Sequence, residues 1–246
     1  MRGLSTTSRI FIDEAQWKNA NFQSNFWMLC INGIVAGFFI ALTGFIYQKI
    51  LTLTGNLVLA SCAVPLGFIL CDTFQADLFS THFLYALAAY AKRQKWREFA
   101  LSALCVTLFN IFGIIIFILI IWGSGQIPSI NIIAGQEIAR KIDVNIWSTF
   151  LRGCIGGLAS CMGVFTARRT DSAGEKVLSI WISIFSLSVC GFEHATLDFY
   201  YFLLCPNTGI MGEYFPKLVF VYFGNLIGGL IFSGLITETY RLKHIK

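Results

Sequence analysis

Apolar stretches long enough to cross a bilayer recur from one end of this chain to the other, and they constrain the fold more than any single motif does. Inside hydrocarbon every backbone N–H and C=O must be paired within the protein, which leaves only helices or closed barrels. Continuous apolar runs of roughly 20 residues select helices. Composition agrees. Only 13% of the residues are charged and 56% are hydrophobic, and the mean hydropathy is +0.70. A water-facing domain carries about 25% charged residues, so a soluble enzyme is not expected. The segment 1–25 is polar and basic, without the short apolar core and cleavage site of a signal peptide.

The pattern reads as six spans, at about 26–47, 56–91, 99–122, 147–167, 177–203 and 217–239. The second and fifth are long, and polar residues interrupt each. Lys and Arg set the orientation. Arg2, Arg9 and Lys18 precede the first span, and Lys92, Arg93, Lys95 and Arg97 follow the second. Arg168, Arg169 and Lys176 follow the fourth, and Arg241, Lys243 and Lys246 end the chain. The remaining basic residues, Lys49, Arg140, Lys141, Arg152 and Lys217, fall on or near the opposite side. Both termini are therefore expected in the cytoplasm of a multi-pass cell-membrane protein. Asp13–Ala20 reads as the start of an interfacial helix, with Trp17 and Trp27 at headgroup depth. The outer loop 123–146 contains "PSINIIAGQEIARK", which suits a short amphipathic helix. The 8 Cys lie almost all in apolar runs and form no CxxC pair, so they read as small packing residues.

Polar residues inside the spans carry the functional signal. "QADLFS" (75–80) is followed by "FNIFG" (109–113), and "GFEHA" (191–195) by "GNLIGG" (224–229). The spacing from acid to Asn is 33 residues for Asp77 and Asn110, and 32 for Glu193 and Asn225. Each half thus has a long interrupted span and then a span bearing Asn-x-x-Gly. Three spans per half oblige the halves to run in opposite directions, the signature of a transporter or channel with helix breaks near the midplane. Gly191 supplies a flexible point at one break. The other has no glycine, and the polarity of "DTFQADLFS" takes its place. Asn110 and Asn225 can donate and accept, so they suit tying down the freed backbone. Asp77 and Glu193 read as structural acids at the breaks, accepting from N–H groups. No metal cluster, nucleotide motif or cofactor site is present, and no nucleic-acid partner is expected.

"GFILCDTFQADLFSTHFLYALA", "GFEHA" and "GNLIGG" together resemble the formate/nitrite transporter family, over nearly the whole chain. The resemblance implies one transmembrane domain over 1–246, all-α, with an aquaporin-like inverted repeat of three plus three helices. Residues 26–122 and 147–239 are then the repeats, 1–25 the cytoplasmic leader and 240–246 the tail. It implies a homopentamer in the bilayer with one pore per subunit, passing small monovalent weak-acid anions such as formate, nitrite, hydrosulfide, lactate or acetate. The family's central histidine corresponds to His194 and its hydroxyl to Ser80. Its entrance lysine corresponds to Lys141, as an anion entrance. Leu78, Phe79, Phe68 and Leu187 are the expected apolar gates. Several positions depart from the family pattern: Gly157 and Asp198 where Asn is common, Lys217 and Phe220 where Asn and Pro open the sixth span, Val64 at a constriction, and the acid Asp72.

An apolar gate rejects a bare ion, because desolvating it costs several kcal/mol. The expected mechanism is that the anion gains a proton near His194, from the imidazole or from relayed water, and crosses neutral. Asp198 lies one turn after His194, facing either the imidazole or an outer vestibule. Two alternatives rest on other residues. One is an aquaporin-like, cation or proton path along Asp72, Asp77, Glu193 and Asp198, although aquaporin Asn-Pro-Ala boxes are missing. The other is a diverged, inactive paralogue. Gly123-Ser124-Gly125 superficially offers a serine nucleophile but sits at a span end with no partner in recognisable order, so no enzyme is expected.

Overall fold

The computed structural model describes residues 6–20, 26–205 and 207–242, and every regular element among them is helical. Arg2, Lys243 and Lys246, part of the charge pattern above, lie outside the described residues. Helix α1 spans Thr6–Ala20, α2 Phe26–Thr54, α3 Leu57–Ser61, α4 Pro65–Thr73, α5 Phe79–His82 and α6 Ala86–Tyr90. Then follow α7 (Trp96–Gly123), α8 (Asn131–Ile142), α9 (Ile146–Ala167), α10 (Ala173–Val189), α11 (Ala195–Leu204) and α12 (Thr208–Leu242). Four of these, α2, α7, α9 and α12, are long and apolar enough to cross a membrane. The intervals 56–91 and 177–203 are not continuous helices. The first is divided among α3 to α6 and the second between α10 and α11.

Close backbone packing joins α2 to α7 and α9 to α12. A Cβ on Gly37 would stand 1.9 Å from the Asn110 carbonyl oxygen, and one on Gly157 would stand 2.1 Å from that of Asn225. Only glycine fits either contact, which draws each helix pair to backbone distance. On the other side α7 exposes Leu104, Leu108, Phe112, Leu119 and Trp122, an apolar surface fit for lipid or a neighbouring subunit.

The two breaks have matching backbone geometry. α4 ends in a left-handed residue, Gln75 (φ 53°), and α10 in Gly191 (φ 71°). Gln75 and Gly191 N–H donate to the Asp72 and Ser188 carbonyls; Ala76 and Phe192 N–H reach back to those of Cys71 and Leu187. This is the Schellman ending. The sequence showed a flexible point at only one break. The structure puts Gln75 in the conformation that Gly191 adopts freely, at a strain of about 1–2 kcal/mol for an L residue.

Beyond each break one asparagine binds the same three groups. Asn110 Oδ1 accepts from Phe79 N–H (2.9 Å), and its Nδ2 donates to the carbonyls of Gly33 (2.9 Å) and Asp77 (2.8 Å). Asn225 Oδ1 accepts from Ala195 N–H (3.0 Å), and its Nδ2 donates to Gly153 (2.8 Å) and Glu193 (3.0 Å). The main chain adds one more pair: Asp77 N–H to the Asn32 carbonyl and Glu193 N–H to that of Arg152.

The N-terminal helix differs from its expected form. Its described part spans Thr6–Ala20, earlier than the expected Asp13, and one face, Phe11, Ile12 and Ala15, is buried against the protein. Phe11 stacks on Phe165 with ring centroids 6.0 Å apart. Only Trp17 and Trp27 keep the expected exposure. The loop helix does form, as α8.

Asn110→Ala and Asn225→Ala each leave one buried N–H and two buried carbonyls without their partner and should each cost about 3–9 kcal/mol, at roughly 1–3 kcal/mol per unsatisfied group. Thermal melts of the purified protein should show two comparable falls. A loss confined to one variant would show that the breaks are not equivalent.

Candidate functional site

His194 is the N-cap of α11, and that role fixes its chemistry. Its Nδ1 accepts the Leu197 backbone N–H at 3.2 Å. A nitrogen that accepts carries no proton, so in the neutral ring the hydrogen is on Nε2. Nε2–H then donates to Ser80 Oγ at 2.8 Å, across from the other break. The ring is buried and meets Phe68 edge to face with centroids 4.8 Å apart.

Two cavities approach this ring. One, of about 290 Å³, lies under α8 and is lined by Val64, Leu187, Leu197 and His194 among others. The other, of about 20 Å³, lies under α1 and is lined by Phe68, Leu78, Thr81 and His82 among others. Arg152 lines the first and Arg168 the second, 16 residues apart along α9 and its end, or about 24 Å. The cavities thus occupy opposite ends of the bundle, and the Phe68–His194 contact stands between them. Four apolar residues, Val64, Leu187, Phe68 and Leu78, line one cavity or the other. Phe79 lines neither. Its ring packs on Phe83 (4.9 Å) and Tyr222 (5.0 Å), as a residue holding helices together. Leu78, one residue earlier, lines the α1 cavity instead.

Lys141 reaches the first cavity, but its ammonium is already matched. It contacts both the Glu193 and Asp198 carboxylates. Burial opposes that charge; Asp198 and Glu193 outweigh it and hold the ammonium's proton affinity well above that of an ordinary lysine. Asp198 also accepts from Tyr214 O–H at 3.2 Å, so its carboxylate is turned to Lys141 and Tyr214. The side chain of Glu193, expected to accept from break N–H groups, meets Lys141 instead; its carbonyl is the group bound to Asn225. Lys217 holds the end of α8 in place, donating to the carbonyls of its last two residues, Lys141 and Ile142, and of Val144 just beyond. At the other end Arg168 bridges Glu14 (2.6 Å) and Asp72 (2.9 Å), which gives the unexpected acid Asp72 a partner and ties α1 down. Tyr214, Tyr85, whose O–H donates to Glu14 at 3.0 Å, and Arg152 were not among the expected site residues. Arg152 alone carried a signal, a charge within an apolar run.

A match to the model of the formate/nitrite transporter family covers residues 8–238. The chain belongs to the formate/nitrite transporter family. Formate channel FocA of Escherichia coli strain K12 is 25% identical, over 87% of this chain and 85% of that one. The uncharacterized transporter YrhG of Bacillus subtilis strain 168 is 23% identical, over 85% and 83%. In fold, this formate/nitrite transporter superposes on a solved FNT family ion channel with a TM-score of 0.83, at 19% identity, covering 93% of this chain and 96% of that one. A pentameric formate channel with formate bound gives 0.73 at 18% identity, covering 89% and 98%. This is a multi-pass membrane protein. At Gly157, where Asn is common in the family, the backbone of Asn225 leaves no room for a side chain.

Lys141→Met leaves two buried carboxylates without their counter-ion and should cost about 3–5 kcal/mol. Adding Asp198→Asn removes one of them and should restore part of that loss, read as a rise in melting temperature. A double variant no better than the single one would show that the two carboxylates do not depend on Lys141.

Proposed function

We propose that this transporter conducts small monovalent anions of weak acids, with His194 at the narrowest point, as a six-span protomer of two inverted three-helix repeats. The matching Schellman endings and asparagine clusters support the repeat. α2, α7, α9 and α12 with the two interrupted segments make up the spans. Both termini face the cytoplasm, which puts the α1 cavity inside and the α8 cavity outside. The exposed apolar face of α7 and the pentameric relative support a homopentamer.

One observation carries the mechanism: both nitrogens of His194 are engaged by the protein. A neutral ring with Nδ1 capped by a backbone N–H presents a donor and has no site ready to take a second proton. Giving up the Nε2 proton would leave an imidazolate unless Nδ1 first broke its cap. Water in the larger cavity is therefore the better proton source, and the imidazole is a hydrogen-bond donor that can turn from Ser80 to a solute oxygen. The anion loses hydration between Val64 and Leu187, its proton affinity rises in the dry site, and it takes a proton from that water, which is replenished from the outside solution along the cavity so that no hydroxide is left behind. The neutral acid passes Phe68 and Leu78 toward the inner cavity and ionises again there. Phe79 supports the gate from behind. A cation path is disfavoured, because Asp72, Glu193 and Asp198 are each occupied by Arg168 or Lys141.

Uptake of formate, nitrite, hydrosulfide and lactate by proteoliposomes at several pH values tests this. Wild type should carry at least one of them faster at lower outside pH. His194→Asn should lose that dependence or the flux. Unchanged flux and pH profile in the variant would remove His194 from the mechanism.

A further inference from the structure

The cations around the α8 cavity are nearly all committed. Arg140 pairs with Glu137, which also accepts from Tyr47 O–H. Lys141 is matched by two carboxylates. Lys217 is bound to the carbonyls at the end of α8. Among the described residues, Arg152 is the cation lining this cavity whose guanidinium makes neither an ion pair nor a hydrogen bond. Its base is fixed at the site: the Arg152 carbonyl accepts the N–H of Glu193, the residue before His194. The side chain is half-buried, with part of it open to the cavity.

We infer that Arg152 is the docking residue for the transported anion, and that it selects planar anions with two oxygens, of the carboxylate or nitrite kind, over single-centre anions. Lys141 then serves to neutralise Glu193 and Asp198, leaving the attraction to Arg152. Guanidinium presents two parallel N–H groups that match a two-oxygen edge, a fit that a lysine or a spherical ion cannot reproduce. Apolar Val64 and Leu187 line the same cavity and lower the local dielectric, which strengthens that contact. For the identity of its ligand the inference rests on the transport reading above.

The test uses the purified, assembled protein as wild type, Arg152→Lys and Arg152→Met, each accepted only if it elutes as wild type does. Melting temperatures are compared in sodium formate, sodium nitrite and sodium chloride at equal concentration. Formate and nitrite should raise the wild-type value over chloride, Arg152→Met should abolish that difference, and Arg152→Lys should retain less than half of it. In proteoliposomes Arg152→Met should raise the KM for formate about tenfold or more, as expected for loss of a charged hydrogen-bonded pair, with a smaller change in maximal rate. No difference among the salts in wild type, or an undiminished one in Arg152→Met, overturns the inference, as does an unchanged KM. Salt-specific stabilisation lost in Arg152→Met with no wild-type flux would uphold the docking site and refute the transport reading. Wild-type flux with no such stabilisation would refute only the docking site.

Discussion

A helix that stops inside a membrane leaves N–H and C=O groups that have no water to turn to, and each unpaired one costs several kcal/mol. In this chain α4 and α10 end at two breaks within the helical bundle, and one side chain pairs the freed groups at each. Asn110 and Asn225 each satisfy one N–H and two carbonyls around a break. The glycine contacts then follow. Gly37 and Gly157 let the asparagine-bearing helices come close enough for a short amide to reach the break. Remove the amide or the close approach, and the three backbone groups at each break lose their partner.

The break at α11 puts a titratable ring where the other break has an apolar side chain. Leu78 is the N-cap of α5 and His194 the N-cap of α11. Only the second can use its side chain to cap, and in doing so it spends its basic nitrogen on the backbone. That one bond accounts for the tautomer and for the donor directed at Ser80. The charged side chains keep clear of the constriction: Lys141, Glu193 and Asp198 satisfy one another on one side, and Arg168, Glu14 and Asp72 on the other.

Much of this was legible in the sequence because it follows from residue type and spacing. The four continuous spans follow from apolar length. The breaks follow from Asp77 and Glu193 within apolar runs, and the tie from an asparagine about 33 residues later. Other features depended on direction in space, which spacing does not encode. Phe79 looked like a gate beside Leu78, but Leu78 is the extended N-cap of α5 and lines the α1 cavity, whereas Phe79, the first helical residue, packs on Tyr222. Lys141 looked like an open anion site because its two carboxylates are more than fifty residues away. Gln75 gave no sign of a left-handed backbone, since glycine is the usual marker and is absent. The burial of Phe11, Ile12 and Ala15 was hidden by a helix too polar on average to suggest a packed face.

The central claim is that the His194 ring is neutral, with Nδ1 accepting and Nε2 protonated toward the pore. Nitrogen-15 NMR of histidine-labelled protein in bilayers at neutral pH reads this directly, with His194→Asn assigning the signal. One imidazole should show an unprotonated Nδ1 and a protonated Nε2. A resonance pair showing both nitrogens protonated, or the proton on Nδ1, would contradict the account.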